Sequence, residues 1–139
     1  MTSDGLCFFD TNVLLYSFDN RYPHKQQQAL TLVDTLGHKK QAVISTQVLI
    51  ELFTNLTRKF KAERKTASLM VSSFCHWPVI DSDMQLVLRA MARSTEHQTS
   101  IFDAMIVEAA LRSGASTLYS EDMQHGRRFG SLTITNPFI

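Results

Sequence analysis

Four acids stand out by what surrounds them. Asp10 ends the apolar run Leu6–Cys7–Phe8–Phe9 and is followed by Thr11 and Asn12. Glu51 lies one to two turns into a helical pattern that opens after Ala42–Val43–Ile44. Asp103 begins the most apolar helical stretch of the chain, and Asp122 lies just past Thr117–Leu118–Tyr119. Taken singly, each has an ordinary reading: a helix cap for Asp10, a surface helix residue for Glu51, the third-position acid of a capping box for Asp103, a turn residue for Asp122. Taken together these readings weaken, because Asp10 and Asp103 adjoin the most apolar segments, where an acid without a partner is costly.

If the four converge, they repel. Two like charges about 4 Å apart cost on the order of 4 kcal/mol at an effective dielectric near 20. No lysine or arginine adjoins any of the four in sequence, so a hard divalent cation is the natural counter-charge. An all-oxygen donor set favours Mg²⁺ or Mn²⁺ over zinc. A carboxylate-held Mg²⁺ with open positions is what phosphodiester hydrolysis requires: it lowers the pKa of a bound water, orients the phosphate and stabilises the leaving oxygen. No Ser–His–acid or Cys–His set competes, and there is no glycine-rich phosphate loop. The histidines (His24, His38, His76, His97, His125) show no HxxxH or other ligand spacing, so no zinc site is expected.

The elements that must carry these acids alternate. A short apolar run closed by polar capping residues reads as a buried strand feeding a helix, here Leu6–Phe9 into Asn12–Phe18. Pro23 opens a second helix with Ala29, Leu30, Val33 and Leu36 as its buried stripe and Gly37 as its stop. Ala42–Ile44 is the second strand. A helix from Gln47 to Phe60 follows, with Leu49, Leu52, Phe53, Leu56 and Phe60 at helical spacing. The next helix runs to about His76, and Val79–Ile80 is the third strand. Ser82–Gln85 has the S-x-x-Q capping pattern, ahead of Met84, Val87, Leu88 and Met91 at helical spacing. Ser100–Asp103 is a second capping box and opens a helix expected to be buried on almost every side, ended by Gly114. Thr117–Tyr119 and Leu132–Ile134 are the fourth and fifth strands. The alternation predicts an α/β fold, one domain over residues 1–139, with a parallel five-stranded sheet covered by helices on both faces. Asp10 then lies at the carboxyl edge of the first strand, the edge where open α/β sheets carry their chemistry.

At 139 residues the chain is of one-domain length, and its 44% hydrophobic and 19% charged residues are ordinary for a globular protein. The net charge of +1 points to no particular partner, so contacts to nucleic acid must come from local patches. The densest basic run, Arg58–Lys59–Phe60–Lys61–Ala62–Glu63–Arg64–Lys65, is either a solvated helix–helix corner or a phosphate-contacting face. Arg127 and Arg128, close after Asp122, are likewise either phosphate-backbone contacts or surface charges. Cys7 and Cys75, far apart and among apolar neighbours, read as core thiols in a reducing cytoplasm. Asp4 and the lack of a long apolar run near it argue against a signal peptide, and no stretch is long enough to span a membrane.

Four ordered blocks carry a resemblance: Phe9–Tyr16, Ser45–Glu51, Phe102–Ile106 and Leu118–Gly126, with the closing Leu132–Phe138 also fitting. The chain resembles PIN-domain nucleases, specifically the VapC-type toxin ribonucleases of bacterial toxin–antitoxin pairs. The resemblance implies a Mg²⁺- or Mn²⁺-dependent endoribonuclease acting on single-stranded RNA. It aligns Asp10, Glu51, Asp103 and Asp122 with the family's acidic, metal-holding cluster, and Asn12 and Ser120 with the polar residues that support it. Between the adjacent Glu121 and Asp122, the alignment favours Asp122 as the metal-facing acid. It also implies a homodimer and a small cognate antitoxin. The chain departs from the family pattern at Phe102, where tryptophan or tyrosine is frequent. A receiver-like phosphoacceptor domain would want paired acids after the first strand and a lysine near the last, and neither is present. A catalytically silent module that keeps the fold to bind RNA or protein is one alternative, and a DNA-directed or structure-specific nuclease is another, which the short chain disfavours.

Overall fold

A computed structural model of the chain describes residues 5–139; Asp4, used above against a signal peptide, lies outside them. The strands are β1 Cys7–Phe9, β2 Ala42–Ser45, β3 Val79–Ile80, β4 Thr117–Tyr119, β5 Arg128–Phe129 and β6 Leu132–Thr135. The helices are α1 Thr11–Tyr16, α2 Pro23–His38, α3 Thr46–Arg58, α4 Arg64–Ser72, α5 Met84–His97 and α6 Ile101–Ser113, with a 3₁₀ turn over Ser73–His76. The sheet order is β3-β2-β1-β4-β6-β5. The expected parallel five-stranded sheet is thus corrected to six strands among the described residues: five are parallel, and β5 pairs antiparallel with β6. Arg128 and Phe129 form this edge because the chain doubles back through Gly130, at φ 60, in a short hairpin.

The order reverses beside β1. The chain first builds outward through β2 and β3, then crosses to the other side of β1 to place β4. The carboxyl ends of β1 and β4 therefore flank a topological switch point, where α/β sheets leave a crevice. Register does the rest. Phe9 is level with Tyr119, so the next residues, Asp10 and Ser120, come out side by side. The sheet is held from within by Phe8, Phe9, Ile44, Leu118 and Ile134, all fully or almost fully buried, against Leu14, Leu52, Leu56 and Ile106 from the helices.

Several local expectations are corrected. The α2 helix runs through Gly37 to His38, and Lys40 takes the left-handed turn instead. Gly37 serves packing: a Cβ there would meet the Trp77 indole at 3.3 Å. Leu30 is exposed, on the solvent side of α2. Asp83, not Ser82, caps α5, its carboxylate accepting from the Leu86 N–H at 2.9 Å. Leu86 and Ala90 are buried in α5, while Met84, Leu88 and Met91 are exposed. Cys75 is also exposed, on the 3₁₀ turn, whereas Cys7 is buried. Gly114, at φ 77, ends α6 as expected, and Ser100 caps it by accepting from the Asp103 N–H. The helix is buried through Ala104, Ile106, Val107, Ala109 and Ala110, but Phe102 stands out in solvent. No helix among the described residues is long and apolar enough to cross a membrane.

Candidate active site

The four acids line one pocket of about 210 Å³ at the switch point. Asp10 forms its base and is buried, Glu51 is half-buried, and Asp103 and Asp122 stand exposed at the mouth. Each reaches the pocket by a different route. Asp10 follows β1 and also caps α1, accepting from the Thr11 N–H at 2.8 Å, so its ordinary reading as a helix cap holds. Ser45 closes β2 and caps α3, which aims Glu51 back over the edge. Asp103 projects from the first turn of α6, and Asp122 from the loop after β4.

Hydrogen bonds fix the carboxylates. Ser120 Oγ donates to Asp10 Oδ2 at 2.9 Å. Asn12 Nδ2 donates to Asp10 Oδ2 at 3.3 Å and to Asp122 Oδ2 at 3.0 Å, tying two acids to one amide. Thr11 Oγ1 donates to Glu51 Oε1 at 2.6 Å, and Gln47 Nε2 to Glu51 Oε2 at 3.1 Å. Glu121 is engaged elsewhere: it accepts from Tyr16 Oη at 2.8 Å and pairs with Lys25 at 2.5 Å. Asp122, not Glu121, is the acid held against Asn12 in the pocket.

The charges are strained. Burial, opposed by bonds from Ser120 and Thr11 and reinforced by Glu51 and Asp103, pushes Asp10 up to about 6. Burial, then the charges of Asp122 and Glu51, also raise Asp103. No cation pairs with any of the four among the described residues. Of the basic candidates, Lys59 at the end of α3 lines this pocket and Arg127 lines a neighbouring one. Arg58, Lys61 and Arg128 are exposed and line none of these cavities.

An oxygen-seeking cation fits this donor set. Four carboxylates ring the pocket with their repulsion unrelieved, and Gln47 Oε1 is buried beside them with no hydrogen-bond partner. Among the described residues no three acidic, histidine or cysteine side chains stand close enough together to hold an ion by themselves. Removing a support should show in the titration. Ser120→Ala is expected to move Asp10's ionisation to higher pH, because a donor to the charged form is lost, and to destabilise the fold by about 1–3 kcal/mol. An NMR titration of the Asp10 carboxyl, with a urea melt, checks both; an unmoved Asp10 contradicts the assignment.

Sequence reading missed Thr11 and Gln47. The signal was there in part: Gln47, Glu51, Asn55 and Lys59 recur every fourth residue, a polar stripe along the pocket side of α3. Thr11 was masked by its plain role next to a helix cap.

Fold and site define an α/β domain with an acidic pocket at the switch point of its sheet. The PIN domain family model matches residues 7–128, and the chain belongs to the PIN domain family. No curated protein shows a significant sequence match. Solved structures of similar fold include a toxin–antitoxin complex from Klebsiella pneumoniae (18% identity, TM-score 0.69, 94% of this chain and 97% of that one). They also include VapBC2 from Rickettsia felis bound to a promoter DNA fragment (20%, 0.67, 94% and 98%). A third is VapC20 from Mycobacterium tuberculosis, a sarcin–ricin-loop-cleaving toxin (20%, 0.63, 84% and 89%).

Proposed function

We propose that this PIN domain is a Mg²⁺- or Mn²⁺-dependent endoribonuclease that cuts single-stranded RNA and acts as the toxin of a toxin–antitoxin pair. The observation that carries the reading is the ring of four carboxylates around one open pocket, with no cation paired to any of them among the described residues. Asp10 and Asp103 are the principal ligands, with Glu51 and Asp122 completing the pocket. A bound Mg²⁺ or Mn²⁺ supplies an acidified water and charge neutralisation at the phosphate. The remaining steps belong to the chain. Asn12, Ser120, Thr11 and Gln47 hold the carboxylate oxygens in place. Asp122, with one carboxylate oxygen held by Asn12 and the other unbonded, or Glu51, held by Thr11 and Gln47, orients the attacking water and takes its proton, while the leaving ribose oxygen is protonated from solvent. Lys59, on the rim, offsets the charge of an arriving phosphodiester.

Similar folds occur in a toxin–antitoxin complex and in a toxin that cleaves the sarcin–ricin loop. That likeness supports a cognate antitoxin as partner and RNA as substrate; the proposed place of action is the cytoplasm, where such a substrate is found. The exposed Met84, Leu88 and Met91 on α5 support burial of that face in a homodimer. Expression of the wild-type chain without antitoxin in a bacterial host is expected to arrest growth and leave discrete RNA fragments, and Asp103→Asn to do neither. Normal growth with intact RNA under the wild-type chain contradicts the toxin reading.

A further inference from the structure

We infer that the acid pocket is the middle of a three-part track for single-stranded RNA, with a nucleotide subsite on either side; the inference rests on the nuclease reading above. On one side lies a cavity of about 210 Å³ that shares Asp103 and Asp122 with the acid pocket. On the other lies one of about 260 Å³ that shares Asn12, Leu15, Lys59 and Asp122 with it. The two outer cavities have only Asp122 in common, so the acids lie between them.

The outer cavities repeat one chemistry. In the first, the guanidiniums of Arg93 and Arg127 lie 5.1 and 4.7 Å from the centre of the Phe129 ring. In the second, the Arg21 guanidinium lies 5.6 Å from the Tyr22 ring and 5.7 Å from the Phe60 ring. Two of these arginines are fixed in place, Arg93 by Glu108 at 2.6 Å and Arg21 by Asp19 at 2.9 Å. Arg127 has no carboxylate partner among the described residues. Planar guanidiniums and aromatic rings are the surfaces on which unpaired bases stack; with Arg93 and Arg21 paired to Glu108 and Asp19, Arg127 on one flank and Lys59 on the other are the cations left for the neighbouring phosphates. Their position also answers an electrostatic need. A polyanionic strand must come to rest against four carboxylates, and a cation on each flank offsets that repulsion.

The Phe129 cavity carries a further sign of a ligand. Thr99 Oγ1 lines it, buried and without a hydrogen-bond partner. A hydroxyl in that state is available to the polar edge of a base held against Ala104, Val107 and Ile134. A duplex cannot deliver a base there, so the track selects single strands.

The test uses Phe129→Leu and Phe60→Leu, which keep apolar packing and remove the stacking face, with Arg127→Gln as a variant that leaves the core alone. Each is expected to lower kcat/KM on a short single-stranded RNA about tenfold, within what one stacked base contributes. Trimming the substrate by one nucleotide at one end should erase the effect of Phe129→Leu and of Arg127→Gln, and trimming at the other end that of Phe60→Leu. Wild-type rates in the folded variants, or losses that no trimming erases, overturn the track. Binding of a labelled oligouridylate in EDTA separates this from the nuclease reading. If the wild-type chain binds but cuts with no metal, the nuclease reading falls, while about tenfold weaker binding by the variants upholds the track. Unchanged binding, or loss only of a protein partner, overturns it.

Discussion

Asp10→Asn is expected to abolish RNA cleavage while stabilising the metal-free fold above pH 6. The loss in kcat/KM should reach roughly a thousandfold or more, since residues that merely support a metal ligand are already worth about 10–100-fold. The gain in stability follows from the position of the carboxyl. Burial and neighbouring acids hold Asp10 at about 6 against an ordinary 3.8. Between those values the native state keeps a proton that the unfolded chain has released. Stability contributed by this group therefore falls as pH rises through that window, by up to roughly 3 kcal/mol. Asparagine does not titrate, so melts of both proteins in EDTA from pH 4 to 7.5 isolate the effect in their difference. The wild-type chain should lose ground to Asp10→Asn as pH rises, and saturating Mn²⁺ should reverse the order. A difference that is flat in pH contradicts the buried, acid-crowded state of Asp10.

Phe8→Ala should cost about 3–5 kcal/mol, the range for emptying a large aromatic from a packed core. Phe8 is fully buried in β1, the strand between β2 and β4, and is level with Val43 and Leu118. A domain of this kind holds only about 5–15 kcal/mol in total. The substitution therefore removes a large part of the stability, and it does so two residues from Asp10. Urea unfolding gives the number. A loss under about 1 kcal/mol would show that β1 is not the spine of the sheet.

What the sequence made legible follows from local rules. Short apolar runs ended by Ser45, Ser100 and Asp10 as caps are local signals, and the elements they open lie where spacing puts them. The four acids were legible because each follows such a signal. Their meeting was not, because Asp103 reaches the pocket only through the crossover that sets α6 against the switch point. Arg128–Phe129 was missed as a strand because a two-residue edge has too little pattern to read. Arg93 and Thr99 were invisible beside the acids, since α5 and α6 bring them there from a polar helix end. The basic run Arg58–Lys65 divided for the same reason: only Lys59 shares the pocket-side stripe of α3.

The most direct test is cleavage of single-stranded RNA by antitoxin-free protein, wild type and Asp10→Asn in parallel, with Mg²⁺, with Mn²⁺ and with EDTA. Cuts made only by the wild-type chain and only with metal are the predicted result. Equal cleavage by both proteins, cleavage that survives EDTA, or a folded wild-type chain inert with every metal would contradict a four-acid nuclease centre.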